Sequence, residues 1–119
     1  MGTVAIVDYG VGNLKSVANA LSYLGCSSCI TADPAELERA DAIILPGVGA
    51  FPDAADRLRG GGLDQHVLAQ GQKKPVLGIC LGMQLLLEQG REVRPCPGLG
   101  VIRGTVDRIP CLLYTSPSP

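Results

Sequence analysis

The chain contains the stretch Pro75-Val-Leu-Gly-Ile-Cys-Leu-Gly-Met-Gln-Leu-Leu-Leu87, in which an apolar run of strand character is followed by an apolar run of helical character. Cys80 stands at the junction, with Gly78 two positions before it and Gly82 two positions after it. A nucleophilic side chain between two glycines at a strand-to-helix junction is the pattern of a nucleophile elbow, here with cysteine in place of serine. The stretch therefore predicts a reactive thiol at the carboxyl end of a sheet, where doubly wound folds place their sites.

Each residue type in the predicted elbow has a physical reason. The turn is so tight that a Cβ atom at Gly78 or Gly82 would collide with the neighbouring strand or helix. The helix that begins after Cys80 carries a partial positive charge at its N-terminus, which favours the thiolate that attacks carbonyl carbon. The backbone N–H of Leu81, next after the nucleophile, is the expected first donor of an oxyanion hole. The alternative is that Cys80 is only a small buried apolar residue, which is common for free cysteine.

Outside this stretch, short apolar runs rich in β-branched residues alternate with segments of helical spacing. The apolar runs predict the central strands, and a hairpin of two further strands is predicted around Gly104. The central strands are expected at Thr3 to Val7, Ser28 to Thr31, Ala42 to Leu45 and Pro75 to Ile79, the helices at 14–24, 34–40, 52–58, 63–70 and 81–89, and the hairpin strands at 101–102 and 105–109. Strands that alternate with helices indicate an α/β domain with a doubly wound, mainly parallel sheet and flavodoxin-like layering.

The composition excludes several classes of function. The 119 residues carry ten Lys and Arg against eleven Asp and Glu, so they lack the basic face that nucleic-acid binding requires. No apolar run reaches the ~20 residues needed to span a bilayer, and neither a signal nor a transit peptide is visible, so the cytoplasm is the expected compartment. Five cysteines without a secretory signal argue against a disulfide framework. No metal site is expected, because Cys26-Ser-Ser-Cys29 lacks the second ligand pair that zinc requires.

Two further features border the predicted elbow. Pro46 ends the third predicted strand, and Gly47 and Gly49 allow backbone conformations closed to other residues, so this loop can present N–H groups to a ligand. A plain Pro-Gly turn is the alternative. Gln84 lies one helical turn after Cys80 on the same face, and it borders the same pocket unless it is an ordinary surface glutamine.

Four segments together carry a resemblance to a known family. They are Asp8-Tyr-Gly-Val-Gly-Asn-Leu-Lys-Ser-Val17, Leu45-Pro-Gly-Val-Gly-Ala-Phe51, Gly78-Ile-Cys-Leu-Gly-Met-Gln84 and Gly98-Leu-Gly-Val-Ile102. With them the chain resembles the glutaminase subunits of imidazole glycerol phosphate synthases, which are triad-type (class I) glutamine amidotransferases of histidine biosynthesis. The resemblance runs from about Val4 to Ile109 and implies the class I amidotransferase fold.

The resemblance also implies a role for each matching position. Cys80 is the nucleophile that attacks the side-chain amide of glutamine and releases ammonia. The backbone N–H of Val48 is the second oxyanion donor beside that of Leu81, and it turns inward when the synthase partner holds its own substrate. Gly49 and Gln84 hold the glutamine. The partner is a TIM-barrel cyclase in a heterodimer, which uses the ammonia to form imidazole glycerol phosphate and an aminoimidazole carboxamide ribotide; no cofactor is implied.

The proton-transfer partners of Cys80 are missing from the pattern. The single histidine, His66, matches no catalytic position, and the family carries its catalytic His and Glu near the C-terminus, beyond the point that corresponds to Ile109. Residues 1–110 are therefore predicted to be the N-terminal part of one amidotransferase domain, truncated at its C-terminus and without glutaminase turnover of its own. The uncharged segment 111–119, which ends in alternating Ser and Pro, is expected to be a non-native or disordered tail.

Two rival hypotheses belong to other classes of function. In the first, the elbow cysteine sits in a non-glutaminase member of the same superfamily, such as a binding or stress-type module. In the second, Gly10-x-Gly12 and Asp33 belong to a nucleotide-binding domain, although Lys15 stands where that fingerprint has its third glycine.

Overall fold

The centre of the fold is a sheet of four parallel strands in the computed structural model, which describes residues 2–108. The strands lie in the order β2-β1-β3-β4, which is that of the first four strands of a flavodoxin-like sheet. Their bounds are β1 (Thr3–Val7), β2 (Ser27–Thr31), β3 (Ala42–Leu45) and β4 (Val76–Gly78). The predicted parallel α/β architecture is therefore confirmed. The predicted tail at 111–119 lies outside the described residues.

Helices cover both faces of the sheet. One face carries α1 (Leu14–Tyr23), with Ile44 of β3 beneath it. The other face is covered by α2 (Pro34–Arg39), α3 (Phe51–Gly60), α4 (Leu63–Gly71) and α5 (Leu81–Leu85). None of the helices within residues 2–108 is long and apolar enough to cross a membrane.

The main core lies between the sheet and helices α2 to α5. Successive strand side chains point to opposite faces of a sheet, so alternate residues of β1 and β3 enter this core. Burial of each large apolar side chain contributes about 1.5–3 kcal/mol relative to its exposure to water. The core includes Ala5, Val7, Leu37, Ile43, Leu45, Phe51, Leu58, Val67 and Leu85.

The segment after the elbow differs from its prediction. The apolar pattern predicts a helix over 81–89, but α5 ends at Leu85 and strand β5 follows at Leu87–Gly90. The carbonyl oxygen of Leu85, which would continue the helix, accepts a hydrogen bond from the backbone N–H of Leu99 at 2.7 Å instead. A run of three leucines suits a helix or a strand equally well. Contacts with a distant part of the chain therefore select the strand.

A second, smaller sheet has the order β6-β5-β7, with β6 at Cys96–Pro97 and β7 at Ile102–Val106. β6 is antiparallel to β5, and β7 is parallel to it. The predicted hairpin around Gly104 is wrong, because β7 runs through this glycine; Ile109, where the predicted second strand ends, lies outside the described residues. The glycine marks a β-bulge, since β7 advances from Ile102 to Thr105 while β5 advances only from Leu87 to Gln89.

Four cysteines lie within the described residues, and all four thiols are free: Cys26, Cys29, Cys80 and Cys96. Cys26 and Cys80 are exposed, Cys29 is half-buried and Cys96 is buried. Burial raises the pKa of Cys29, and the nearby charge of Glu36 raises it further. Cys29 therefore stays a protonated, weakly reactive thiol at neutral pH.

Lys74 caps the C-terminus of α2. Its Nζ donates hydrogen bonds to the backbone carbonyl oxygens of Leu37 at 2.8 Å, Glu38 at 2.8 Å and Ala40 at 2.6 Å. These carbonyl groups would otherwise stay unpaired at the helix end, and the ammonium charge faces the negative end of the helix dipole. We expect Lys74→Met to lower the free energy of unfolding by about 1.5–3 kcal/mol, as for hydrogen bonds to charged groups. Urea unfolding measures this, with Lys73→Met as the exposed control; equal losses in the two variants would contradict the capping role.

Candidate active site

Three loops meet at the carboxyl edge of the four-stranded sheet. Tyr9 lies just after β1, Pro46 directly follows β3, and Cys80 lies just after β4. Because β1, β3 and β4 are neighbours in the sheet, these loops are close in space although they are far apart in sequence. Open α/β sheets bind their ligands at this edge. The candidate site therefore lies here.

Cys80 occupies a strained position in the turn between β4 and α5. Its backbone has φ 55° and ψ −121°, and it is the only non-glycine residue with a positive φ between residues 2 and 108. Such a conformation costs about 1–3 kcal/mol, and strain of this kind is concentrated at functional sites. The side chain is exposed, on the strand-turn-helix path that the sequence predicts. α5 has only five residues, so the helix dipole at Cys80 is weaker than that of a helix over 81–89 would be.

The two elbow glycines are required by close backbone contacts. A Cβ atom at Gly82 would lie 1.8 Å from the carbonyl oxygen of Leu45, and one at Gly78 would lie 2.5 Å from the Cα atom of Met83. Both obstructions are backbone atoms, which cannot swing aside as the end of a side chain can. The turn therefore excludes any larger residue at either position.

The loop after β3 lies directly beside the elbow. Pro46 and Gly47 are buried, whereas the side chain of Val48 is 57% exposed. A Cβ atom at Gly47 would lie 2.8 Å from the backbone nitrogen of Gly82, so only glycine lets the loop approach the elbow this closely. Gly49 has a φ of +95° and open space around its Cα atom.

The predicted oxyanion donor on the elbow is already engaged. The backbone N–H of Leu81 donates a hydrogen bond to the carbonyl oxygen of Gly47 at 3.2 Å. That carbonyl belongs to the same planar trans peptide unit as the N–H of Val48, so the two groups point in opposite directions. In this arrangement the peptide presents its oxygen to the elbow. The oxyanion hole expected from Val48 and Leu81 is therefore not assembled in this structure.

Gln84 lies one helical turn after Cys80, as the sequence predicts. Its backbone N–H donates a hydrogen bond to the carbonyl oxygen of Cys80 at 3.3 Å. The residue is half-buried, and its side-chain Oε1 atom is buried with no hydrogen-bond partner among residues 2–108. A buried amide oxygen without a donor costs about 1–3 kcal/mol.

The chain's histidine does not lie in the loops at the carboxyl edge of the sheet. His66 is exposed on α4, which packs against α2 and α3. It is in none of the three loops that follow β1, β3 and β4. The structure therefore provides no reason to assign it as the base of Cys80.

Tyr9 is a residue of the site that the sequence patterns do not single out. Its side chain is 6% exposed, and its hydroxyl donates a hydrogen bond to the carbonyl oxygen of Pro46. A Cβ atom at Gly47 would lie 2.7 Å from this hydroxyl, so the phenol also packs against the loop after β3. Burial raises the pKa of Tyr9 to about 12. The signals in the sequence are its position, between a buried strand and a glycine turn, and its place in the segment from Asp8 to Val17 that carries the resemblance.

We expect the ionisation of Tyr9 to lower stability at high pH. Its pKa of about 12 in the folded chain lies above the ordinary value of 10.0. The stabilising contribution of the neutral phenol is therefore fully present below the lower value and is lost as the pH rises through the higher one. Between these values, the free energy of unfolding of the wild type should fall relative to that of Tyr9→Phe, which has no phenol to ionise at this position. Urea unfolding over a pH series measures the difference, and parallel profiles for the two proteins would contradict it.

The glycine turn after β1 packs against the loop after β3. Gly12 has a φ of +110°, and a Cβ atom there would lie 3.1 Å from the Cβ of Pro46 and 3.2 Å from the backbone nitrogen of Gly47. Close approach between two loops of the protein therefore accounts for this glycine. A bound pyrophosphate is therefore not needed to explain the glycine.

The parallel sheet with a cysteine elbow at its carboxyl edge belongs to a chain that matches a known family of enzymes. The family model of class-I glutamine amidotransferases matches residues 5–108, and the chain belongs to this family. Within it, the chain is similar to the imidazole glycerol phosphate synthase subunit HisH of Symbiobacterium thermophilum, at 52% identity over 111 residues, 92% of this chain and 52% of the relative. The same subunit of Oceanobacillus iheyensis is 50% identical over 107 residues, 89% of this chain and 53% of the relative.

These relatives confirm the resemblance drawn from the motifs. The chain spans about half the length of the curated relatives that it matches. A crystal structure of a glutamine amidotransferase superposes with a TM-score of 0.75 at 25% identity, over 90% of this chain and 57% of that chain. The predicted class I amidotransferase fold is therefore confirmed as well.

Proposed function

We propose that this chain carries the nucleophile and the oxyanion loop of a glutaminase, which hydrolyses glutamine to glutamate and ammonia for histidine biosynthesis. The observation that carries the proposal is Cys80, an exposed thiol held at φ 55° between two glycines that no larger residue can replace. Strain maintained by such close packing is typical of a residue with a function. The similarity to imidazole glycerol phosphate synthase subunits supports glutamine as the substrate.

The chemistry begins with attack of the Cys80 thiolate on the side-chain amide carbon of glutamine. A carbon–sulfur bond forms while the carbonyl π electrons move to oxygen, which gives a tetrahedral oxyanion. Collapse of this intermediate breaks the carbon–nitrogen bond, and the nitrogen leaves as ammonia after it gains a proton. Water then hydrolyses the glutamyl thioester, which releases glutamate and regenerates the thiol.

The oxyanion would be held by the backbone N–H groups of Leu81 and Val48. Rotation of the single peptide unit between Gly47 and Val48 would do two things at once, because the Gly47 oxygen and the Val48 N–H lie on opposite sides of that unit. It would free the Leu81 N–H from its present partner, and it would turn the Val48 N–H toward the same point. Loss of one such donor typically lowers kcat by about 10²- to 10³-fold.

Glutamine would be held by Gly49 and Gln84. The open space at Gly49 leaves room for a ligand beside the loop, and the buried Oε1 of Gln84 has no donor among the described residues. An N–H group of the substrate would supply that donor. Binding would thereby remove a cost that the free site carries.

The ammonia would pass to a TIM-barrel cyclase in a heterodimer, which would form imidazole glycerol phosphate and an aminoimidazole carboxamide ribotide in the cytoplasm. The near-neutral charge of the chain suits protein and amino-acid partners better than nucleic acid. The turn of the Gly47–Val48 peptide would respond to this partner. Ammonia would then be released only when the acceptor is in place.

A glutamine analogue with a chloromethyl ketone in place of the side-chain amide tests the proposal. The Cys80 thiolate would displace chloride and form a thioether, which mass spectrometry of peptides locates. We expect one adduct, at Cys80, that free glutamine suppresses and Cys80→Ala abolishes. The exposed Cys26 provides the matched control, since Cys26→Ala should leave the labelling unchanged. Labelling that is equal at Cys26 and Cys80, or that glutamine does not suppress, would contradict the proposal.

A further inference from the structure

The hydroxyl of Tyr9 makes a buried contact with the backbone of the oxyanion loop. It donates to the carbonyl oxygen of Pro46, and both residues are buried. The contact joins the loop after β1 to the loop after β3, 37 positions apart in the sequence. A buried carbonyl oxygen that loses its donor costs about 1–3 kcal/mol. The contact therefore fixes the Pro46 carbonyl where it is.

The fixed carbonyl lies one peptide unit before the unit that must turn. The Pro46 oxygen belongs to the Pro46–Gly47 peptide, and the group that engages Leu81 belongs to the Gly47–Val48 peptide. A planar peptide unit moves as one body, so an anchored oxygen holds the whole first unit. Rotation of the Gly47–Val48 peptide is then confined to the two backbone bonds that flank it, one in Gly47 and one in Val48.

We propose that Tyr9 is a positioning residue, which holds the Pro46–Gly47 peptide still while the Gly47–Val48 peptide turns to complete the oxyanion hole. This inference rests on the proposed glutaminase function. Tyr9 does not touch the reacting atoms; it determines the position of the Val48 N–H in the completed oxyanion hole. The buried phenol stays protonated at neutral pH and so keeps the proton that it donates to Pro46.

The phenol ring and the hydroxyl make separable contributions. The ring is buried with the rest of the side chain, and the hydroxyl is the Tyr9 atom that lies beside Gly47, 2.7 Å from where a Cβ atom would stand. Tyr9→Phe keeps the ring and removes only the donor. Only packing would then hold the loop, and the position of the Val48 N–H after the peptide has turned would no longer be fixed. A displacement of about 1 Å in a catalytic group lowers rates by up to about a hundredfold.

The experiment compares two reagents on the full chain with the proposed cyclase partner and that partner's substrate present, because these are the conditions in which the Gly47–Val48 peptide would turn. The Cys80 thiolate first adds to the carbonyl carbon of the chloromethyl ketone, which forms an oxyanion; the sulfur then moves to the methylene carbon as chloride leaves, which restores the ketone and gives the thioether. Iodoacetamide alkylates a thiolate by direct displacement of iodide and forms no oxyanion. We expect Tyr9→Phe to lower the rate of Cys80 labelling by the ketone about tenfold to a hundredfold and to leave the iodoacetamide rate at Cys80 unchanged. Tyr23→Phe is the control, since Tyr23 is 91% exposed; both of its rates should equal those of the wild type.

The outcomes separate this inference from the proposed function. Ketone labelling that survives Cys80→Ala would overturn the function itself. Ketone labelling that depends on Cys80 but is unaffected by Tyr9→Phe would overturn only the role of Tyr9, as would an equal fall with both reagents, which would indicate general loss of structure. NMR of the unmodified chain tests the contact even if Tyr9→Phe does not fold: a slowly exchanging tyrosine hydroxyl is expected, and fast exchange of every hydroxyl would overturn the proposal.

Discussion

Replacement of Gly82 by alanine is expected to prevent the chain from forming its native elbow. The new Cβ atom would lie 1.8 Å from the carbonyl oxygen of Leu45 and 2.6 Å from its carbonyl carbon. Leu45 is fully buried at the end of β3, in the middle of the sheet, so its backbone cannot retreat without breaking the pairing with β4. We expect a loss of at least about 3 kcal/mol, the upper end of the ordinary range for overpacking, and a large share of the stability of a domain of this kind.

Thermal and urea unfolding measure this loss. Gly60→Ala is the matched control, because Gly60 lies in α3 and a Cβ atom there would meet nothing within 4 Å. That variant should be as stable as the wild type or up to about 1 kcal/mol more stable, since alanine favours a helix. If the two variants melted at the same temperature, the close approach of the elbow to β3 would be disproved.

The second large effect concerns turnover. We expect this chain to release no ammonia from glutamine, even with the cyclase partner present, because no residue assigned to the site serves as the base of Cys80. Loss of the base of such a nucleophile lowers kcat by roughly 10⁴- to 10⁶-fold. Cys80 should still be alkylated, since its exposure does not depend on the base.

A chimera provides the positive control for this prediction. In it, residues 1–108 are continued by the remaining half of the Symbiobacterium thermophilum relative, and ammonia release should then appear and vanish again with Cys80→Ala. A coupled glutamate or ammonia assay measures both proteins. Ammonia release by the unextended chain that disappears with Cys80→Ala would show that a base is present within it.

The elbow and the main sheet are predictable because local sequence and tertiary structure agree there. The apolar, β-branched runs at β1 and β3 suit strands buried on both faces. Gly78 and Gly82 stand where the turn brings backbone onto backbone, so the spacing of two glycines around Cys80 reports a contact that the structure contains. The position of Gln84, one helical turn after Cys80, follows from helical spacing alone.

The remaining features depend on contacts that no local pattern records. The strand at Leu87–Gly90 exists because backbone N–H groups from residue 99 onward donate to carbonyl oxygens that a longer helix would have paired internally. The engagement of the Leu81 N–H by Gly47 depends on the orientation of one peptide unit, which no local pattern specifies. Tyr9 lies inside the motif from Asp8 to Val17, but nothing in that motif predicts its role, because the role depends on a single hydrogen bond to a distant carbonyl.

The strand order also determines when the turn at Cys80 can form during folding. β3 lies between β1 and β4, and each pairing joins strands separated by a helix-containing crossover. Such long-range parallel pairings form slowly, because loop-closure entropy is lost before the contacts are gained. The strained turn at Cys80 exists only once Leu45 is in place beside Gly82. A newly made or unfolded chain therefore lacks the strained turn, which forms only in a chain whose β3 and β4 have paired.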